Sequence, residues 1–125
     1  MKKLPESVIR AWDDREPIAV LTTVAPDGTP NAIYVGSVGR FDDSTFFVAN
    51  NYFHKTKENI LAGSKASLLF LTKEGKSFQV VGSIELQDSG PIYDEMKRIN
   101  PEKYPGHSAA VIRVGKVFSG AEQLV

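Results

Sequence analysis

The segment NNYFHKTKEN, residues 50–59, separates two groups of β-strand patterns and predicts the start of a short helix near Lys55. A helix that begins there turns its free N–H groups and the positive end of its dipole toward the preceding loop. Lys55 and Lys57 add positive charge and Thr56 adds a hydroxyl donor, so the segment suits a phosphate group. Alternatively, Thr56 caps the helix and both lysines lie on a solvated face. From these residues alone, both interpretations stay open.

The rest of the chain is predicted to form strands with short helices between them. Runs of β-branched and aromatic residues alternate with turn signals, of which Pro26-Asp27-Gly28-Thr29 is typical. The predicted strands cover residues 18–25, 32–38, 45–50, 66–72, 77–86 and 109–118, and the predicted helices cover residues 5–15, 55–62 and 90–100. The first three strands are expected to form a meander. Six antiparallel strands covered by short helices favour a small closed barrel.

Length and composition limit the class of protein. The chain has 125 residues, which suits one domain, residues 1–125. Fifteen basic residues balance fifteen acidic ones, so we expect no nucleic-acid partner. Cysteine is absent, which excludes a disulfide framework, a thiolate metal site and a cysteine nucleophile. No apolar run approaches membrane length, and we expect a cytoplasmic protein with no membrane partner.

Two other stretches are candidates for a ligand pocket. Gly36 and Gly39 lie in a strand-like segment, where glycine marks either a bulge at a barrel corner or a close approach of the backbone to a ligand. Tyr52 and Phe53 precede the candidate phosphate site, and Tyr104 lies in a second irregular cluster before the last strand, so either cluster is a candidate pocket wall. The two histidines, His54 and His107, have no ligand-spaced partners, so we predict no metal site.

The order of these motifs resembles a known family. The chain places the turn Asp27-Gly28-Thr29-Pro30 between its first two strands, follows its third strand with His54-Lys55-Thr56-Lys57-Glu58-Asn59, and ends in Phe118-Ser119-Gly120-Ala121-Glu122-Gln123-Leu124-Val125. This arrangement resembles the pyridoxamine 5′-phosphate oxidase-like FMN-binding split barrels, and within them the small stand-alone FMN-binding proteins. The resemblance implies a six-stranded antiparallel split β-barrel of Greek-key type.

The resemblance also implies a homodimer with FMN at the subunit interface. In that family the lysine and threonine of the motif hold the FMN phosphate, the strand after the Asp-Gly-Thr-Pro turn lies along the flavin, and the loop before the lysine closes the pocket. An aromatic side chain before the last strand and the C-terminal residue of the other subunit approach the flavin ring. The predicted cofactor-binding residues are Tyr34, Val35, Gly36, Ser37, Asn50, Asn51, His54, Lys55, Thr56, Asn59, Tyr104 and Val125.

The function implied by the resemblance is electron or hydride transfer by a flavoprotein whose redox partner or small-molecule substrate is unknown. Two alternatives remain: a deazaflavin-dependent reductase on the same barrel, and a non-enzymatic flavin- or haem-binding protein. The tryptophan that faces the ring in the small FMN-binding proteins has no counterpart here. The arginine-rich substrate pocket of true pyridoxamine phosphate oxidases is also missing, so we do not expect that reaction. No residue stands out as a catalytic acid or base.

Overall fold

The computed structural model describes residues 2–125, which form eight antiparallel strands and three short helices. The strands are β1 (Ala19–Val24), β2 (Pro30–Val35), β3 (Val38–Asp42), β4 (Thr45–Asn50), β5 (Lys65–Leu71), β6 (Ser77–Gln87), β7 (Ser108–Ser119) and β8 (Glu122–Gln123). The helices are α1 (Glu6–Asp13), α2 (Lys55–Leu61) and α3 (Pro91–Ile99). The longest described helix, α3, has nine residues, and none is long and apolar enough to cross a membrane.

One curled sheet carries the whole fold. The strands lie in the order β2-β1-β5-β6-β7-β4-β3, and β8 pairs with β7. The two edge strands, β2 and β3, follow each other in the chain with only Gly36 and Ser37 between them. Two intervening residues separate the flanking Cα atoms by at most about 11 Å. The two edges of the sheet therefore meet at Gly36 and Ser37, and the sheet curls into a barrel.

The prediction of six strands is wrong at two places. Residues 32–38, predicted as one strand, are divided between β2 and β3, and the tail adds the two-residue strand β8. The division falls at Ser37, whose carbonyl oxygen accepts a hydrogen bond from Ala49 N at 2.9 Å. The predicted meander is also wrong, because β2 pairs with β1 while β3 pairs with β4. Between β2 and β3, the chain changes direction at a corner of the barrel.

The main core lies inside the curled sheet and is closed by α1. Trp12 of α1 packs edge-on against Phe46 and Phe70, with ring centroids 4.8 and 4.9 Å apart. These edge-to-face contacts add to the area that the three rings bury. The prediction of a helix over residues 5–15 is confirmed with shorter bounds, since Pro5 stands at the N-cap position.

A second, smaller core lies beneath α3 on the opposite face of the sheet. Met96 of α3 packs there with Phe47 and Val111. Gly39 belongs to this packing, because a Cβ at that position would overlap the ring of Phe47. Gly39 is therefore explained by the core, whereas Gly36 lies beside open space and meets only the flexible end of Ile18.

Candidate functional site

A cavity of about 450 Å³ opens where the two edges of the sheet meet. We call it the tyrosine cavity. A volume of this size lies in the range of small-molecule and cofactor sites. Its lining residues are Ile18, Ile33, Tyr34, Val35, Gly36, Ser37, Ala49, Asn51, Tyr52, Phe53 and Tyr104. None of these is charged, so the cavity suits a neutral group.

The end of β2 and the loop after β4 bring the predicted residues into this cavity. Tyr34, Val35, Gly36 and Ser37 end β2 and turn the barrel corner, so their backbone borders the cavity. Asn51 and Tyr104, from two different loops, complete the predicted residues that line it. Tyr52 and Phe53, which the sequence marked as a candidate wall, line it as well. Ile18 and Ile33 were not predicted, because nothing distinguishes them from core residues in the sequence.

Four predicted residues lie outside the cavity wall, at the N-cap of α2 or within the helix: His54, Lys55, Thr56 and Asn59. Phe53 lines the cavity, and Lys55 follows it two residues later in the chain. His54 occupies the N-cap position without a side-chain capping bond, and its Nε2 lies 3.7 Å from Glu58 Oε1 at the surface. With seven residues, α2 has only a small dipole. The candidate anion site therefore depends on side chains.

Thr56 belongs to a buried polar network that joins α2 to the β1–β2 hairpin. Its side chain is 2% exposed, and its Oγ1 accepts a hydrogen bond from Asn31 Nδ2 at 2.9 Å. Asn31 Nδ2 also donates to Thr23 Oγ1 at 3.3 Å, and Asn59 Nδ2 donates to the same oxygen at 3.0 Å. The expectation that Thr56 caps the helix is wrong, since His54 holds that position.

Within the described residues, the network leaves the hydroxyl hydrogens of Thr56 and Thr23 without an acceptor and the buried Asn31 Oδ1 without a donor. Among residues 2–125, no hydrogen bond has Thr56 Oγ1 as its donor. Because the amide group of Asn31 gives a hydrogen to this oxygen, the hydroxyl hydrogen of Thr56 stays available for an acceptor. Sequence reasoning missed Thr23 and Asn31. A signal was present, since both are polar residues at inward-facing positions of strands and are directly paired in register.

Asn50 and Val125 lie outside the tyrosine cavity of their own chain. Asn50 is buried, donates from Nδ2 to Ser108 Oγ at 3.1 Å, and accepts a hydrogen bond from Phe53 N at 3.1 Å. It therefore shapes the loop that carries Phe53. Val125 lies against the main core, and its carbonyl oxygen accepts a hydrogen bond from Val117 N at 3.4 Å. The structure therefore does not bring Val125 together with the other predicted residues within one chain.

The structure gives little support to a metal site or to a haem site. Within the described part of the chain, no group of three or more histidine and carboxylate side chains lies close enough to hold a metal ion. Neither His54 nor His107 lines the tyrosine cavity. His107 borders a separate cavity of about 260 Å³ together with Asn50 and Lys57. A haem in the tyrosine cavity would lack an axial histidine from this chain.

A curled antiparallel sheet whose edges meet beside an uncharged cavity of this volume defines a small split β-barrel. The chain belongs to the pyridoxamine 5′-phosphate oxidase family, whose model matches residues 6–119. The match includes β1 to β7 and all three helices. The sequence-based assignment to this family is therefore confirmed.

Solved structures share the fold at low sequence identity. HupZ of Group A Streptococcus is 24% identical with a TM-score of 0.78, and the alignment covers 93% of this chain and 93% of HupZ. An FMN-binding protein of Syntrophomonas wolfei is 18% identical with a TM-score of 0.76, over 94% of this chain and 97% of that protein. A structure described as an F420 reductase is 19% identical with a TM-score of 0.61, over 84% of this chain and 91% of that one.

Proposed function

We propose that this protein binds FMN in the tyrosine cavity and acts as a flavoprotein in electron or hydride transfer. The observation that carries the proposal is an uncharged, cofactor-sized cavity whose wall includes Phe53, two residues before Lys55 and three before Thr56 in the chain. A flavin mononucleotide has the same two parts, a planar ring system and an anionic phosphate. Bound FMN supplies the redox chemistry, since the chain has no cysteine that could exchange electrons as a thiol.

Different side chains bind the phosphate and the ring of FMN. Lys55 contributes positive charge to the phosphate, and Thr56 donates the hydroxyl hydrogen that its hydrogen bond from Asn31 leaves unused. Gly36 keeps the end of β2 open, because the added Cβ of any other residue would project beside Ile18 at the cavity. Tyr34, Tyr52 and Tyr104 cover the ring and exclude water. The protein thereby positions the flavin and adjusts its environment.

The decisive experiment compares two ligands that differ only in the phosphate. FMN and riboflavin are titrated into the purified protein and into Lys55→Ala, with binding followed by flavin absorption and fluorescence. Loss of a charge-assisted contact of about 1.5–3 kcal/mol weakens FMN binding by about 10- to 150-fold. Riboflavin binding should be unchanged. Lys57→Ala is the matched control, since it removes the same charge from the same helix.

Three results would count against this proposal. A colourless protein with no affinity for FMN would refute it. Equal losses of FMN and riboflavin binding in Lys55→Ala would show that Lys55 is not the phosphate ligand. The likeness to an F420 reductase makes a deazaflavin the second candidate cofactor. Its absorption spectrum differs from that of FMN, so the spectrum of the protein as isolated distinguishes the two.

We further propose that two copies form a homodimer that completes the cavity. The register places Tyr34, Val20 and Leu69 in one row across β2, β1 and β5 on the outer face of the sheet. Tyr34 is 83% exposed and Leu69 is 42% exposed, although Tyr34 also lines the cavity. An apolar row of this kind is typical of a protein interface. A second copy on this face would cover the open side of the cavity.

The dimer is tested by light scattering on the wild-type protein and on Leu69→Asp. We expect a dimer for the wild type and a monomer with weaker flavin binding for the variant. Phe41→Asp is the control, because Phe41 is a similarly exposed apolar residue on the edge strand β3, away from this row. A monomeric wild type that still binds FMN would contradict the shared cavity.

A further inference from the structure

A reciprocal pair of amide hydrogen bonds joins the two loops that carry the cavity tyrosines. Asn51 Nδ2 donates to Asn100 Oδ1 at 3.1 Å, and Asn100 Nδ2 donates to Asn51 Oδ1 at 2.8 Å. Gly106 N also donates to Asn51 Oδ1, at 3.0 Å. A backbone N–H only donates, so the atom of Asn51 that faces it must be the oxygen. This fixes the orientation of both amide groups. We call this arrangement the asparagine clasp.

The clasp is partly buried and closely fitted. Asn100 is 8% exposed and follows the last turn of α3. Gly106 has a φ of +52°, and a Cβ there would lie 3.0 Å from Asn100 Nδ2. Lys97 Nζ donates to Pro105 O at 3.0 Å, which fixes the same loop from its other side. The loop before β7 is therefore held against α3 and against the loop after β4 at one place.

The tyrosines beside the clasp depend on it for their position. Tyr52 directly follows Asn51, and Tyr104 lies on the loop that ends with Gly106. Their rings meet edge to face with centroids 6.3 Å apart, and both line the tyrosine cavity. Tyr52 is 74% exposed, so core packing does not fix it. The hydrogen bond from His107 N to Asn50 O at 2.9 Å also joins the two loops, and the clasp adds the side-chain bonds next to Tyr52.

We propose that Asn100 is a positioning residue for the flavin ring. Asn100 does not line the cavity and acts through Asn51, which does. The clasp holds Tyr52 and Tyr104 as one wall against the ring, and so it sets both the affinity for the ring and the quenching of its fluorescence. This inference rests on the proposed binding of a flavin in the tyrosine cavity. The inference adds that Asn100, at the end of α3, controls the affinity of the cavity for the flavin ring.

The test uses riboflavin, because this ligand reports on the ring site without the phosphate. Asn100→Ala removes both amide bonds, and we expect riboflavin and FMN affinity to fall equally, by about tenfold. A tyrosine in contact with a flavin quenches its fluorescence, so the flavin bound to Asn100→Ala should be brighter. Ile84→Val is the control for stability, since this buried change on β6 lowers stability without touching either loop.

A second variant separates positioning from general destabilisation. In Asn100→Asp, the ionised carboxylate accepts the bond from Asn51 but cannot donate one. The protonated acid has one donor and one acceptor and restores both bonds. Riboflavin affinity should therefore be low near neutral pH and recover in mild acid, while Asn100→Ala shows no recovery. Lys97 is the charged group next to this site and favours the ionised form, which places the recovery at lower pH.

The outcomes distinguish this inference from the function on which it rests. If the wild type binds riboflavin and Asn100→Ala binds it equally well, the positioning role is wrong. If Asn100→Ala and Ile84→Val lose the same affinity, or if Asn100→Asp fails to recover in acid, the effect is general destabilisation and the inference is also wrong. A wild type that binds neither flavin overturns the proposed function, and the role of Asn100 with it.

Discussion

Replacing Thr56 with valine separates the two roles of this side chain. Valine has almost the same shape, so it leaves no cavity, but it lacks the hydroxyl group. Thr56 Oγ1 accepts the 2.9 Å hydrogen bond from Asn31 and has a hydrogen free for the proposed phosphate. The variant therefore loses one internal bond and one ligand bond. These losses appear in different measurements, namely the free energy of unfolding and the affinity for FMN.

The structure gives the size of each loss. Asn31 Nδ2 keeps its second acceptor, Thr23 Oγ1 at 3.3 Å, so the buried amide nitrogen is not left without a partner. We expect the free energy of unfolding to fall by about 1–2 kcal/mol. For a chain of 125 residues, that corresponds to a fall in Tm of about 4–8 °C. Loss of a hydroxyl donor to a phosphate weakens FMN binding by about 10- to 150-fold.

The assay combines thermal unfolding without ligand and titration with FMN and riboflavin. Thr56→Ser is the matched control, because it keeps the hydroxyl and loses a buried methyl group worth about 1 kcal/mol. The two variants should therefore unfold at similar temperatures, but only Thr56→Val should lose affinity for FMN. Riboflavin should bind both equally. If Thr56→Val keeps its FMN affinity while losing stability, Thr56 is a structural residue and the phosphate proposal loses its donor.

Two other changes test the fold. Gly82→Ala should lower the free energy of unfolding by at least about 2 kcal/mol in a denaturant titration, because its Cβ would overlap the carbonyl oxygen of Arg113. Gly36→Ala is the control and should lower the free energy of unfolding by less than about 1 kcal/mol. Arg113 donates a hydrogen bond to Glu85 at 2.9 Å and thereby lowers the pKa of Glu85. The pair therefore stabilises the folded protein at pH values above the ordinary glutamate pKa, and this stabilisation is lost as the pH falls through the lowered pKa. Glu85→Gln should therefore cost under about 1 kcal/mol near neutral pH, since the pair is exposed and screened, and nothing in acid; a constant difference would contradict this.

Local patterns in the sequence predicted most of the secondary structure. Strand alternation and turn residues are local signals, and the hairpin of β5 and β6 follows them closely. The division between β2 and β3 has a tertiary cause, because Ser37 O pairs with Ala49 N across the closing edge. Gly36 and Gly39 gave the same signal in the sequence and have different reasons in the structure, a cavity for Gly36 and the ring of Phe47 for Gly39.

The candidate site was predicted in part for a similar reason. Residues next to each other in the chain, such as Tyr34 to Ser37, were predictable as a group because the strand carries them together. Asn100 was not, since its role depends on a partner 49 positions away. Asn31 and Thr23 gave a detectable signal, because a polar residue at an inward-facing strand position needs a buried partner. That partner, Thr56, comes from another element and was not predictable from spacing.

The fold and the cavity have one common cause. The chain passes from β2 to β3, the two edges of the sheet, through Gly36 and Ser37. A closed ladder of hydrogen bonds at this seam would fill the space, but β2 and β3 do not pair with each other in the described residues. The backbone at the corner is therefore left beside a cavity instead of a neighbouring strand. The place where the barrel fails to close is the place of the proposed flavin site, so a variant that pairs the two edges should lose flavin binding without losing the fold.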